Sequence, residues 1–216
     1  MSSTQNVAKA KRLRFAPLAI ATGVLGAVLL SVSMSGTLSG FVASITNSSN
    51  TAASGALVMQ EQNAAGTVSC NSTDGTGGIS TNSYSCATIN KYGGSTTMIP
   101  GQTVTTSIKI NNTGTVTANT FTLTGGACTQ GTNGALNGTA TDLCSQMTVA
   151  ITNTTTSSSV FTGTLAAFAA KGAISLPVQA AGASTTFSIA VTLPSSAGNT
   201  YQGLSASQPM TWTYNS

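Results

Sequence analysis

Residues 103–111, TVTTSIKIN, alternate without a break. Val104, Thr106, Ile108 and Ile110 fall on one side, and Thr105, Ser107 and Lys109 on the other. A backbone pleat throws successive side chains to opposite faces, so this period of two predicts a half-buried antiparallel strand. The same period returns in Phe187, Ile189, Val191 and Leu193, closed by Pro194, and in Met210, Trp212 and Tyr214 against Thr211 and Thr213. Shorter bursts occur at 41–46, 56–60, 147–151 and 160–165. Residues 115–124 change phase near Ala118 and Asn119, which predicts a bulge within one strand. Between the bursts lie turn-forming clusters of Gly, Asn, Thr and Ser: a loop from Asn63 to about Ser80, the Asn112-Thr113-Gly114 turn, the 128–144 loop and the 153–159 turn. Only LAAFAA at 165–170 can wind helically, for a turn or two before Gly172. Pro100 and Pro209 each precede a strand, where a missing N–H does least harm. Eight or nine short strands with no strand–helix alternation predict an all-β antiparallel sandwich or small barrel.

Charge divides the chain in two. Lys9, Lys11, Arg12 and Arg14 precede an apolar run from Phe15 to Val32. After that run the only charged residues are Lys91, Lys109 and Lys171 against Glu61, Asp74 and Asp142, a formal charge of zero. A basic stretch, an apolar core and then the small residues Ser33, Ser35, Gly36, Ser39 and Gly40 read as an export signal occupying 1–39, cut within about positions 36–43. The apolar run is also just long enough to span a bilayer, so a retained anchor is the competing reading. The expected organisation is the signal at 1–39, an N-terminal strand at 40–47 and a single sandwich domain at 48–216.

Four cysteines permit three connectivities. The expected pairing is local, Cys70 with Cys86 and Cys128 with Cys144, because each bridge would staple a Gly/Thr/Asn/Ser-rich loop. Such a staple contributes about 3 kcal/mol by restricting the unfolded chain. Oxidised cysteines agree with export.

The residues exclude most catalytic chemistry. The chain has no His, so Ser-His-Asp and Cys-His sites cannot be built and the common zinc hydrolase ligand sets fail. Three acids far apart in sequence give no paired-carboxylate site. Asp74 or Asp142 with Asn and carbonyl oxygens could hold calcium, but no EF-hand spacing is present. Gly75, Gly77 and Gly78 sit in a turn and do not link a strand to a helix, so they are no phosphate cradle. Three scattered lysines make no nucleic-acid patch. No catalytic residue, metal ligand or cofactor-binding residue is assigned, and no cofactor is expected. The Asn-x-Ser/Thr triplets at Asn47, Asn71, Asn111, Asn137 and Asn153 are explained by turn chemistry.

Several short motifs carry a resemblance. The long signal, Gly36-Thr37-Leu38-Ser39-Gly40-Phe41, and Gly55-Ala56-Leu57-Val58-Met59 resemble the start of the TasA/camelysin family, whose members carry SipW-type signal peptides. Met98-Ile99-Pro100-Gly101-Gln102 before a Val/Thr strand that ends Lys109-Ile110-Asn111-Asn112-Thr113-Gly114 is similar to the middle of that family. Tyr201-Gln202-Gly203-Leu204 followed by Trp212 resembles the closing strand of secreted actinobacterial members. The resemblance implies a jelly-roll-like fold, secretion by a Gram-positive cell, and assembly into extracellular fibres. It further implies that the segment freed by signal cleavage, about Gly40 to Asn47, is a donor strand that completes a neighbour's sheet. Phe41, Ala43 and Ile45 would then plug the neighbour's core, in a groove lined by residues of 103–111 or 206–214. Read without the family, 41–46 is the first strand of its own sandwich. The protease role described for camelysin does not carry over to a chain without His and with so few acids.

The function expected is that of a filament or pilus subunit, forming a homopolymer by strand exchange after signal peptidase acts. It would touch the membrane only before cleavage and bind no nucleic acid. The alternatives are a monomeric or membrane-anchored adhesion protein of the cell surface or matrix and, from another class, a metal-dependent hydrolase.

Overall fold

The strands expected from the two-residue period form in the computed structural model, which describes residues 44–216. The segment 1–39, expected to be an export signal, and two of the three expected plugs, Phe41 and Ala43, lie outside the described residues. Residues 44–52 belong to a separate unit from Ala53–Ser216 and carry no strand; Ile45 among them is exposed.

Within Ala53–Ser216 the described strands are β1 (Met59–Asn63), β2 (Ser69–Asn71), β3 (Thr103–Asn112), β4 (Thr120–Gly125), β5 (Thr129–Thr132), β6 (Thr148–Asn153), β7 (Ser158–Thr164), β8 (Ile174–Leu176), β9 (Ser184–Thr192), β10 (Leu204–Ser207) and β11 (Met210–Asn215). Two short helices join them, α1 (Leu143–Gln146) and α2 (Leu165–Ala170). One sheet runs β2-β1-β3-β9-β6-β7, a second β11-β4-β8, and β10 pairs with β5. Every pairing is antiparallel. The last two sheets share chain: β4 leads into β5 and β10 into β11, and Gly126 N–H donates to Pro209 C=O at 2.8 Å across the break between them.

The core lies between the six-stranded and three-stranded sheets. Ile108 and Ile110 of β3, Val149 and Ile151 of β6, and Phe187, Ile189 and Val191 of β9 point into it and are buried. Phe121 and Leu123 of β4 and Trp212 of β11 meet them from the other side. Phe187 stacks 4.6 Å from the Trp212 ring and 6.1 Å from Phe121, centroid to centroid. Aromatic pairs at such spacing add about 0.5–1.5 kcal/mol each beyond their buried area. This offsets a core otherwise lean in large side chains.

LAAFAA does wind, as α2. Thr164 caps it, its hydroxyl accepting from Ala167 N–H at 3.1 Å, and Gly172 at φ +71° ends it. The turn buries Leu165 and Phe168 against β4, where Gly125 makes room: a Cβ there would lie 2.6 Å from the Phe168 ring.

The bulge expected at 118–119 is replaced by a loop. Residues 113–119 carry no strand, and β4 begins only at Thr120. The buried Asn112 side chain shapes this loop: its amide donates to Val116 C=O at 2.9 Å and Gln179 C=O at 3.2 Å, and its carbonyl accepts from Gly114 N–H at 3.1 Å. Competition from such local bonds withdraws the segment from the ladder. β1 likewise starts at Met59, later than the alternation at 56–60 suggests, and turns Glu61 inward. The Asn63–Ser80 loop contains β2. Both expected disulfides, Cys70–Cys86 and Cys128–Cys144, are present.

Candidate functional site

The ladders leave one long edge beside an open space. β9 pairs along Thr103–Asn111 of β3, but β1 reaches only Ile108–Asn112, so 103–107 keep a short free edge on that side beside a smaller pocket. β10 and β11 pair only with β5 and β4. The outer side of residues 204–215 therefore presents unpaired main-chain N–H and C=O groups. Along it runs a groove of about 1150 Å³. Of the two acceptor walls left open by the sequence, the 206–214 segment lines this groove and the 103–111 strand does not.

Its floor is apolar. Val191 of β9, with Met147 and Leu193 just beyond the ends of β6 and β9, meets Met210 and Trp212 from β11. The inward side chains of β11 are thus core residues whose open flank is the groove. Trp212 is 9% exposed, yet its indole Nε1 has no hydrogen-bond partner. Buried polar groups are almost always paired, so such an orphan calls for an explanation.

The opposite wall is a strap, residues 81–102, which carries no helix or strand. It is fastened by side chains. Cys86 is bonded to Cys70 of β2. Asn82 Nδ2 donates to Leu57 C=O at 2.6 Å. Lys91 Nζ lies 2.9 Å from Glu61 Oε1, with both side chains largely buried, although the pair is not aligned as a directed hydrogen bond. Ile89 is buried in the core. At its far end the strap reaches the β10–β11 layer: Tyr92 OH donates to Gln208 Oε1 at 2.7 Å, and Asn133 Nδ2 donates to Thr96 C=O at 2.7 Å. Burial pushes the Tyr92 hydroxyl far above its ordinary range, so it stays a neutral donor.

Gln208 is the junction between strap and sheet. Besides accepting from Tyr92, its amide donates to Gly126 C=O at 2.8 Å and Leu165 C=O at 2.9 Å. None of the strap's backbone groups bonds to the backbone of residues 204–215. The strap covers the groove without satisfying the edge.

The three acids sit apart, each in a local role. Glu61 faces Lys91. Asp74 accepts from Asn71 N–H at 2.7 Å. Asp142 accepts from Tyr201 OH and Gln146 Nε2, both at 2.8 Å, and these bonds, the tyrosine's foremost, hold its carboxyl below the usual value. No group of three or more His, Cys, Asp or Glu gathers among the described residues. Among them, too, no helix is long and apolar enough to cross a membrane.

Sequence reasoning singled out the four cysteines and the 206–214 strand, but missed the strap, the Tyr92–Gln208 bond and the Glu61–Lys91 pair. The inward position of Glu61 was hidden because a single charge in a polar-flanked burst reads as solvent-facing. One signal was available: Glu61 and Lys91 are two of only six charges after the apolar run.

No protein-family model and no curated protein matches this chain.

Proposed function

We propose that this protein is a non-enzymatic structural subunit of an extracellular filament, secreted by a Gram-positive cell and assembled by strand complementation. One observation carries the reading: the outer edge of β10–β11 is unpaired and flanks an apolar-floored groove. A long bare edge is an association hazard that folded proteins commonly cover or charge. Here it bears no charged residue from Leu204 to Asn215. An incoming strand would gain a full row of main-chain bonds and bury its inward side chains on the core.

The occupant proposed is the 40–47 segment of a second copy. Its eight residues reach about 26 Å when extended, enough to run the length of β11. Phe41, Ala43 and Ile45 supply a large-small-large apolar face for the groove floor. The segment is uncharged, as is the edge, so neither steering nor repulsion opposes the pairing. In this reading the sandwich is jelly-roll-like and complete only with its neighbour's strand, and the TasA/camelysin resemblance points the same way.

The second reading, a monomeric surface protein that binds another molecule, draws on the amides along the groove wall, Asn71, Asn82, Asn90 and Gln202. Negative-stain electron microscopy of the secreted protein separates the two. Regular fibres that vanish on deletion of residues 40–47, while the monomer stays folded, are the expected outcome. A persistent wild-type monomer defeats the filament reading, and fibres that survive the deletion defeat strand exchange through 40–47.

A further inference from the structure

The far end of the strap closes the groove with a short lid. Up to Gly93 the strap is seated on the sheet: Tyr92 N–H donates to Asn90 Oδ1 at 3.0 Å, Gly93 N–H to Asn90 C=O at 3.1 Å, and a Cβ on Gly93 would lie 2.6 Å from Val104 Cγ1. From Ile99 onward it is tied again, by Gln102 N–H to Ile99 C=O at 2.9 Å and Gly101 N–H to Leu193 C=O at 2.8 Å. Between these anchors Gly94, Ser95, Thr96 and Met98 line the groove. Among the described residues, one hydrogen bond ties 94–98 to the rest of the fold: Asn133 Nδ2 donates to Thr96 C=O at 2.7 Å. Asn133 is itself held beside β10, its N–H donating to Gly203 C=O at 2.7 Å. A segment with so few bonds opens at low free-energy cost.

Asn133 is followed by glycine. An asparagine before glycine is the amide that most readily converts itself, because the next backbone nitrogen can reach the side-chain carbon and glycine has no Cβ to hinder it. The chain has two such steps, Asn133-Gly134 and Asn137-Gly138. The fold separates them. Gly138 N–H donates to Gln202 C=O at 2.7 Å, and a Cβ on Gly138 would collide with Thr200 C=O. The Asn137 amide is bonded at both ends, from Asn133 N–H and to Gly134 C=O. That step is locked. Gly134 is exposed, its N–H meets no acceptor among the described residues, and a Cβ there would have nothing within 4 Å.

We propose that Asn133-Gly134 is a self-converting latch, in which deamidation of Asn133 releases the 94–98 lid. Solvent base takes the Gly134 amide proton, the nitrogen bonds to Asn133 Cγ, and the Cγ–Nδ2 bond breaks with loss of ammonia. Water then opens the cyclic imide to aspartate or isoaspartate. The nitrogen lost is the one that donates to Thr96 C=O. A carboxylate in its place has no proton to give, so two acceptors face each other and the tie is gone. Each opening of the lid frees the amide to react, and the reaction does not reverse in water, so the lid passes one way from tied to untied. The latch acts at the Leu204 end of the groove whatever its occupant, and so stands apart from strand complementation.

The experiment ages the purified wild-type protein in warm, mildly alkaline buffer and maps its peptides by mass spectrometry. Asn133 should convert, to aspartate and isoaspartate together, about tenfold or more faster than Asn137, which must first give up the Gly138–Gln202 bond. The converted protein gains a negative charge and is separated by ion exchange. A broad-specificity protease should cut it within residues 94–98 about 3–10-fold faster than the unconverted fraction. Asn133→Asp should show the same fast cleavage without ageing. Asn137 converting as fast as Asn133 would overturn the latch, and so would a converted fraction cut at the unconverted rate. If Asn133→Asp folds poorly, the aged wild type decides alone.

Discussion

The central strands and the open edge are written in the same alphabet and end in different states. β9 alternates Thr185, Phe187, Ile189 and Val191 inward and is flanked by β3 and β6, so Phe187 to Thr192 have a ladder neighbour on both sides. β11 alternates Met210, Trp212 and Tyr214 inward just as regularly, but only β4 lies beside it. In β9 the inward side chains are essentially fully buried; in β11 Met210 and Tyr214 remain partly exposed. The difference teaches that periodicity specifies which face of a strand is apolar and says nothing about how many neighbours the strand has. A side chain turned inward at a closed position serves stability. One turned inward at an open position can serve binding.

The contrast can be broken hardest at its closed end. Ile189→Ala, in the middle of the six-stranded sheet, should cost about 2–5 kcal/mol in a urea titration, because the packed sheets cannot collapse onto the cavity. A loss below about 1 kcal/mol would mean that the core is looser than its burial indicates.

Second in size is the effect of charge on the proposed plugs. Phe41→Asp or Ile45→Asp places a carboxylate against the groove floor, where an unpaired charge is poorly tolerated. Fibre yield should fall at least tenfold while the secreted monomer keeps both disulfides and its melting temperature. Unaltered polymer yield would remove these side chains from the assembly surface.

The two disulfides sharpen the comparison further, since both close loops of sixteen-residue separation but only Cys70–Cys86 fastens the strap. Replacing either pair by Ser should cost roughly 3 kcal/mol by the loop-entropy argument. Only the Cys70/Cys86 replacement should also raise the rate of limited proteolysis within residues 81–102. Equal cleavage in the two variants would show that Tyr92, Ile89 and Lys91 hold the strap without the bridge.

The smallest effect is a titration away from both regions. Asp142 is lowered from an ordinary value of 3.8 chiefly by the Tyr201 hydroxyl. A depressed carboxylate contributes stability above its unfolded value and loses it as pH falls through the lower, folded value. Stability measured in urea should therefore drop slightly more for wild type than for Asp142→Asn as pH falls through and below the ordinary carboxylate range. Identical slopes would show that the bond to Tyr201 is not kept in solution. Tyr92 and Tyr214, whose hydroxyls burial pushes upward, should contribute no pH dependence in this range.

Legibility followed the range of the interaction. The faces of β3, β9 and β11 were readable because pleat alternation is local. So was α2, because LAAFAA is the one helix-forming stretch and Gly172 marks its end within the segment itself; the Thr164 cap emerged only in the structure. The break at 113–119 was not readable: besides its local bonds to Gly114 and Val116, Asn112 reaches Gln179 C=O, a partner distant in sequence that only the fold brings near. β5, β8 and β10 are three or four residues long, too short to show a period, and exist because a neighbouring strand is there to pair. Of the candidate site, the 206–214 wall was visible in its alternation. The Gln208 junction was not, since an isolated Gln before a Pro carries no signal until Tyr92 is folded onto it.

By itself the sequence determined the strand character, the inward faces, the neutrality of the portion after the apolar run and the absence of His-based chemistry, because composition and alternation act residue by residue. Only the tertiary structure decided which edge lies bare, where the strap closes and why Trp212 is left without an acceptor. Those properties depend on which strands come to lie side by side, and hydrogen bonding between strands is satisfied or left open only at that level.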